Sequence, residues 1–336
     1  MKNYLLLSFT FLMLFSAKGQ DMRFSQFYAA PLYTNPAFTG ATIEHRLVVN
    51  YRHQWPNIPG AFESYHASYE YNAADINSGF GLMMNREEAG SFGLTTNSVA
   101  FSYAYRFQIN RKMILQPGLK IGYGFRGIDY DKLVFNDQLE SGSSSTLDVD
   151  AFADENSSYA DISAGLLLYA ENYWVSSSLN HINKPNQALL ANGNSELPMK
   201  FTFQAGYKFS LSGPVVKRRS SREITTALHY DAQGKFDQFD IGAYYNHAPF
   251  TFGFWYRGIP GFKRYDRGYA NNDAVILLVG FSIPDRNLRV GYSYDVTISR
   301  LISDSGGAHE ISLVYEFASK KSKRKSRRFI VPCAKF

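Results

Sequence analysis

From Leu47 to Phe317 the chain alternates apolar and polar residues with a period of two. In "LVVNYRHQW", Leu47, Val49, Tyr51 and Trp55 fall on one face and Asn50, Arg52 and Gln54 on the other. Val48 and His53 break the pattern. In "YHASYEYNA", Tyr65, Ala67, Tyr69, Tyr71 and Ala73 oppose His66, Ser68, Glu70 and Asn72. Side chains alternate across a strand, so each run has one apolar and one polar face. The pattern predicts fourteen strands: 47–55, 65–73, 78–86, 97–109, 112–127, 158–170, 172–181, 199–211, 222–232, 237–247, 249–258, 272–284, 287–299 and 308–318. No helix-period segment follows residue 46.

Two architectures fit this pattern. A soluble sandwich turns its apolar faces inward; a membrane barrel turns them outward to lipid and leaves small and polar residues in the lumen. The connections separate them. One side carries "ADIN", "NR", "EN", "AP" and "PDRN", with one longer segment, "SGPVVKRRSSR". The other carries "PNIPGAFES", a long segment near 128–157, "INKPNQALLANGNSELP" and "IPGFKRYDRGYANND". Short turns on one side and long loops on the other mark an outer-membrane barrel. Runs of this length suit tilted spans, and an even count returns the chain to its starting side. Tyr69, Tyr71, Tyr103, Tyr105, Phe203, Tyr207, Phe252, Tyr256, Tyr292, Tyr294, Tyr315 and Phe317 sit near the ends of apolar faces, as interface girdles require. The expected fold is all-β: a transmembrane antiparallel β-barrel of about fourteen strands, entered from the periplasm.

The ends read differently. Residues 1–19 pair Lys2 with the apolar run "YLLLSFTFLMLF", and Ala17 and Gly19 precede a cut before Gln20, which is a signal peptide. Residues 20–46 form an N-terminal leader, 47–318 the barrel and 319–336 a basic periplasmic tail. The net charge of +6 belongs to that tail: Lys320, Lys321, Lys323, Arg324, Lys325, Arg327 and Arg328 carry seven positive charges with no acid between them. Without these and Lys2 and Lys18, 26 Lys and Arg face 29 Asp and Glu. A slightly acidic body excludes nucleic acid as the main partner. The tail suits anionic outer-membrane lipid, or a periplasmic lipoprotein or peptidoglycan-associated partner. The single cysteine, Cys333, has no intramolecular partner.

The leader does not alternate. In "DMRFSQFYAAPLYTNPAFTG", Phe24, Phe27 and Tyr28 have helical spacing, Asp21 is placed to cap a short turn, and Pro31 limits it. Asn35-Pro36 and Thr39-Gly40 are turn signals. Six large apolar groups in so short a segment are too many to leave in water. The segment is expected to dock in the lumen or against the periplasmic rim.

Taken together, "FSQFY…PLYTNPAFTG" (Phe24, Ser25, Gln26, Tyr28, Asn35, Pro36, Ala37, Gly40), "RLVVNYRHQWP" (Arg52, Gln54, Trp55) and "LNHINKP" resemble the PorP/SprF family of the type IX secretion system of Bacteroidota. The likeness covers roughly residues 20 to 318. It implies an outer-membrane barrel that works with type IX components and assists export or surface anchoring of a large secreted adhesin, including adhesins used in gliding; the outer loops are expected to do this by binding the adhesin's C-terminal domain. The periodicity indicates a barrel; only the resemblance supplies a secretion role. The alternative is a general porin or solute channel.

Candidate chemistry is sparse. Arg52, Glu70, Arg106, Lys120, Arg126, Asp161, Lys200, Lys208, Asp231, Asp240, Arg257, Arg289, Asp295 and Glu316 are expected inward, either lining a selective channel or pairing in a packed ladder; mixed signs favour the ladder. His229 and Asp231 share a face, which is a general-base geometry at best. No nucleophile elbow, zincin motif or metal-ligand cluster occurs. Neither enzyme activity nor a cofactor is expected. Partner contact is expected at Asn183, Lys184, Pro185 and Asn186 and at Phe262, Arg264, Tyr265 and Arg267, on loops facing outward.

Overall fold

The protein is described here from a computed structural model covering residues 21–90, 93–129, 136–141, 156–189, 193–211, 222–259, 272–299 and 305–318. The expected signal peptide and basic tail, the Ser-rich middle of the 141–157 segment, and Phe262, Arg264, Tyr265 and Arg267 lie outside the described residues.

Fourteen strands form one antiparallel meander: β1 (His45–Gln54), β2 (Phe62–Ala73), β3 (Ser78–Ala89), β4 (Leu94–Tyr105, continued by Phe107–Gln108), β5 (Ile114–Ile128), β6 (Ser157–Tyr169), β7 (Tyr173–Asn180), β8 (Lys200–Ser210), β9 (Arg222–Gln233), β10 (Phe236–His247), β11 (Phe250–Gly258), β12 (Asn272–Ile283), β13 (Leu288–Thr297) and β14 (Ala308–Phe317). Each pairs with its neighbours in the chain, and β1 pairs with β14 from His45↔Phe317 to Gln54↔Ala308. The sheet closes into a barrel, so no strand edge is left to satisfy in lipid. Two of the short turns, Ala74–Ile76 and Pro284–Arg286, end on Asn77 and Asn287 with φ of 54° and 53°. Asparagine tolerates that left-handed conformation better than most residues.

The apolar faces point outward. Leu119, Ile121 and Phe125 on β5 are more than half exposed, at 57%, 63% and 51%. The intervening Lys120 is buried. Such a surface is stable only against lipid. At the short-turn rim His45 stacks on Phe317 and Tyr71, at ring separations of 4.7 and 5.0 Å, beside Tyr69 and Tyr315.

The structure departs from the sequence pattern in three places. Trp55 leaves its strand in a left-handed turn (φ 61°) and lines a cavity at the long-loop mouth instead of extending the outer face of β1. A six-residue helix, Asn136–Ser141, interrupts the long 128–157 connection. The lumen is also not uniformly polar. Leu167, Tyr169, Trp174, Tyr244, Trp255, Ile276 and Leu278 are buried inside, where they form one core with Phe27, Tyr28, Ala37 and Phe38 of the leader. Those wall positions face apolar leader side chains, so the usual penalty for apolar groups on a wet lumen does not apply.

Candidate functional site

The leader threads the lumen from rim to rim. At the short-turn rim Thr42 donates to Glu316 Oε1 at 3.0 Å, and Gly40 N donates to Glu70 Oε2 at 3.0 Å. At the other rim Asp21 N donates to Gln233 Oε1 at 3.2 Å and Asp21 Oδ2 meets His181 Nε2 at 2.8 Å. The chain thus starts at the long-loop mouth and descends to β1. Its local structure is a 3-10 turn (Phe27–Ala29), one helical turn (Pro31–Thr34) and a second 3-10 turn (Pro36–Phe38). Asp21 caps none of them; its carboxylate is engaged by His181. Phe24 and the Phe27–Tyr28 pair also part company. Phe24 packs on Tyr33 (5.5 Å) and His66 (5.9 Å), whereas Phe27 meets Trp255 (4.9 Å) and Tyr28 meets Tyr244 (4.8 Å).

Ser25 and Gln26 are held by strands from both ends of the barrel sequence. Ser25 Oγ donates to Asp295 Oδ2 at 2.6 Å and accepts from Arg52 Nη1 (2.7 Å) and Arg257 Nη2 (2.9 Å). The Ser25 and Gln26 amides both donate to Glu310, at 2.6 and 3.0 Å. Gln26 Nε2 donates to Ser293 Oγ and to the Glu310 carbonyl, and its Oε1 accepts from Ser312 at 2.6 Å. Arg52 and Arg257 share Asp295 Oδ2, each at 2.9 Å, and Arg257 Nε also reaches Asp240 at 2.9 Å. Gln54 accepts from Arg52 Nε and Nη2 at 3.4 and 3.3 Å and so braces the guanidinium. Buried charges persist only when paired and hydrogen-bonded in this way.

The second motif docks through close backbone approach. Asn35 Oδ1 accepts from Ala37 N at 2.8 Å, and its Nδ2 donates to the Ser177 carbonyl at 3.0 Å. A Cβ added at Gly118 would lie 2.5 Å from Ala37 N, and one at Gly165 would overlap the Asn35 amide. Gly40, with φ of 71°, faces Gly79, whose Cα would stand 2.6 Å from a Cβ on Gly40. Gln116 Nε2 donates to the Thr39 carbonyl at 2.8 Å, and Thr39 Oγ1 donates to Ser102 Oγ at 2.9 Å.

His229 and Asp231 are brought together, with Nε2 3.2 Å from Oδ2. His229 Nδ1 is engaged by Gln204 at 3.0 Å, and Phe27 stacks on the ring at 4.8 Å. Asp231 also accepts from Thr202 and pairs with Lys200. The pair is buried beneath the leader. Of the charges expected inward, Arg52, Glu70, Arg106, Lys120, Lys200, Asp231, Asp240, Arg257, Asp295 and Glu316 are buried; Arg126, Asp161, Lys208 and Arg289 are half-buried nearer the rims.

At the long-loop mouth, the 181–199 connection is tied to the wall. Asn183 donates to the Ala160 carbonyl (2.7 Å) and accepts from Ile162 N (3.1 Å). Asn186 accepts from Ser195 N at 2.8 Å and donates to the Gly193 carbonyl at 3.0 Å. Pro185 is buried, its carbonyl accepting from Leu197 N at 2.9 Å, and Lys184 is exposed. His181 bridges Asp21 and Asp161, each at 2.8 Å. Burial opposes protonation of His181, but the two carboxylates outweigh it and hold the imidazole pKa up at about 9. Burial likewise pushes Asp21 up, and His181 and Lys200 outweigh it, holding the carboxyl well below the usual range. Inside the same rim lies a cavity of about 520 Å³, walled in part by Asp21, Arg23, Trp55, Lys120, Arg126 and Tyr159.

Sequence reasoning missed Glu310, Ser293 and Ser312 as leader contacts. The signal was present, because Glu310 and Ser312 share the inward face of "HEISLVYEF" with Glu316. What the alternation could not supply was a reason to single them out from other lumen positions.

A family model described as type IX secretion system membrane protein PorP/SprF matches residues 16–315. A comparison with curated proteins gives no match. Among solved structures, the CymD monoaromatic hydrocarbon channel is 13% identical with a TM-score of 0.46, over 87% of this chain and 93% of that one. The Pseudomonas putida toluene transporter TodX is 10% identical with a TM-score of 0.45, over 88% and 94%. A Rhodopseudomonas blastica porin mutant is 10% identical with a TM-score of 0.36, over 82% and 99%. Nothing about the activity of this chain rests on those likenesses.

Proposed function

The chain belongs to the PorP/SprF family of type IX secretion system membrane proteins, and from that premise we propose that this outer-membrane barrel holds a large secreted adhesin at the cell surface or assists its export by binding the adhesin's C-terminal domain. The observation that supports a holding role is the leader. It contacts the inner wall from Asp21 at one rim to Thr42 at the other, through polar and apolar contacts that an open channel has no use for. A barrel threaded in this way works through its rims. The long-loop side, with the 181–199 connection pinned by Asn183 and Asn186, offers the partner surface, together with 259–272. Lys184 is exposed there; Phe262, Arg264, Tyr265 and Arg267 are the second set of proposed contacts.

The test is recovery of the tagged barrel from its native outer membrane, with identification of what accompanies it. A protein far larger than the barrel, together with type IX components, is expected, and it should be lost on deletion of 182–198 and 259–272. Recovery of the barrel alone, with steady ion conductance in planar bilayers, would put a general porin in its place. Truncation after Ala318 examines the tail: unchanged assembly and secretion would leave it no role with lipid, lipoprotein or peptidoglycan-associated partners.

A further inference from the structure

The cavity at the long-loop mouth carries cationic groups that make no ion pair with any carboxylate among the described residues. Arg23, Lys120, Arg126 and Lys200 line it, as do Asp21, Glu87, Asp161 and His181. Most of these are already committed. Asp21 and Asp161 are both engaged by His181, and Lys200 pairs with Asp231 at 3.2 Å. Lys120 Nζ has only the neutral Asn180 Oδ1, at 3.1 Å. Arg126 Nε is buried with no hydrogen-bond partner among the described residues, and the same holds for Arg23 Nε and Nη2. The carboxylate here that neither His181 nor Lys200 engages is Glu87, which lies across Thr96 from Arg126 on a single row of β3, β4 and β5; Asp21 and Asp161 attract Lys120, and Asp231 attracts Arg23, without an ion pair to either. Arg23 Nη1 donates to Gln238 Oε1, again a neutral acceptor; buried or half-buried cations with unpartnered nitrogens or only neutral acceptors are costly, and in this cup they point to an anionic occupant.

The shape narrows its class. Lys120 and Arg126 lie on one face of β5 with only Gly122 and Gly124 between them, and the Tyr159 ring lies over Gly124, so no side chain of β5 itself separates the two cations. The rings of Trp55, Phe62 and Tyr159 stand in the same cavity. Its volume is within the range of about 300–1,000 Å³ typical of ligand sites, too large for a lone inorganic ion and walled with aromatic surface that such an ion would not use. Charge-assisted bonds from lysine and arginine suit a carboxylate, and the rings suit an apolar neighbour. We propose that the cup at the long-loop mouth binds an acidic peptide segment, its carboxylate held by Lys120, Arg126 and Arg23 and its apolar flank resting on Trp55 and Tyr159. That the peptide belongs to a secreted partner rests on the holding role above; the chemistry of the site does not.

The experiment is a titration of the purified full-length barrel in detergent with a short dye-labelled glutamate–leucine peptide, read by fluorescence anisotropy, against the same peptide with glutamine in place of glutamate. The glutamate peptide should bind, with affinity falling as salt rises, and the glutamine peptide should not. Lys120→Gln with Arg126→Gln should weaken binding on the order of tenfold or more, while Lys120→Arg, which keeps charge and reach, should retain it. Equal binding of both peptides, or an unchanged affinity in the folded double variant, would overturn the assignment. Displacement of the peptide by inorganic phosphate at equal concentration would overturn the peptide part and leave a small-anion site. The two readings separate in cells. A partner that copurifies equally with the wild type and the double variant removes the cup and spares the holding role. Peptide binding without any copurifying partner does the reverse.

Discussion

Ser25 and Asp295, 270 residues apart in the chain, share a hydrogen bond of 2.6 Å inside the lumen. The same hydroxyl accepts from Arg52 and Arg257, so one leader oxygen organises two guanidiniums around one carboxylate. A buried ion cluster adds little net stability when complete, yet breaking it leaves charges that nothing solvates. It therefore fixes where the leader sits more than how tightly the barrel holds together.

Ser25→Ala should destabilise the folded barrel by about 1–3 kcal/mol, the usual cost of stranding buried polar partners. Arg52→Met should cost more, about 3–5 kcal/mol, because Glu310 loses its cation and Asp295 keeps only Arg257. Urea unfolding in lipid vesicles, followed by tryptophan fluorescence, measures both. Equal and negligible losses would mean that the cluster is already hydrated.

Gly118 and Gly165 are the places where the leader backbone and Asn35 press on the wall. Gly118→Val should push the Pro36–Ala37 backbone off β5 at an overpacking cost of about 1–3 kcal/mol. The expected consequence is ion conductance in planar bilayers where the unaltered barrel shows none, with deletion of 21–41 as the fully open reference. A silent Gly118→Val variant that still protects the leader from protease would show that the wall can yield.

The Asp21–His181–Asp161 latch should have a pH window. His181 has a folded pKa of about 9 against an ordinary 6.5, so its contribution is complete below 6.5 and is lost as the pH rises through about 9. Asp21 is held below its ordinary 3.8, so its contribution is complete above 3.8 and is lost on acidification below that. Lys200 and Lys120 face the same carboxylates and keep part of the attraction at high pH. Protection of the amides of residues 21–24, taken relative to their intrinsic base-catalysed exchange rate, should fall above pH 9, and His181→Gln should abolish that fall. Protection that stays flat to pH 10 in the unaltered protein would remove the latch.

The direction of the leader predicts a topology. Asp21 lies at the long-loop mouth and Thr42 at the short-turn rim, so an epitope inserted before Asp21 should be labelled on intact cells. One placed after Ala318 should be labelled only once the outer membrane is permeabilised. The reverse pattern would invert the barrel and move the partner surface to the other rim.

The alternation in "YHASYEYNA" or "SVAFSYAYRFQI" determined the barrel before any coordinate was known. Lipid on one side and a lumen on the other impose a period of two on every strand, and the turn lengths at the two rims separate a barrel from a sandwich. The outward aromatics and the inward Arg52, Asp240, Arg257 and Asp295 were legible for the same reason. The leader was legible only as a segment too apolar to be left in water. Asp21 illustrates the limit: helix logic makes it a cap, whereas in the fold its carboxylate answers to His181, 160 residues away. Likewise Trp255 and Tyr244 read as ordinary strand aromatics until Phe27 and Tyr28 lie against them. A strand's environment repeats along the chain, so one sequence carries it. The leader's environment is set by which wall positions surround it once the barrel has closed, and closure is a property of the tertiary structure alone.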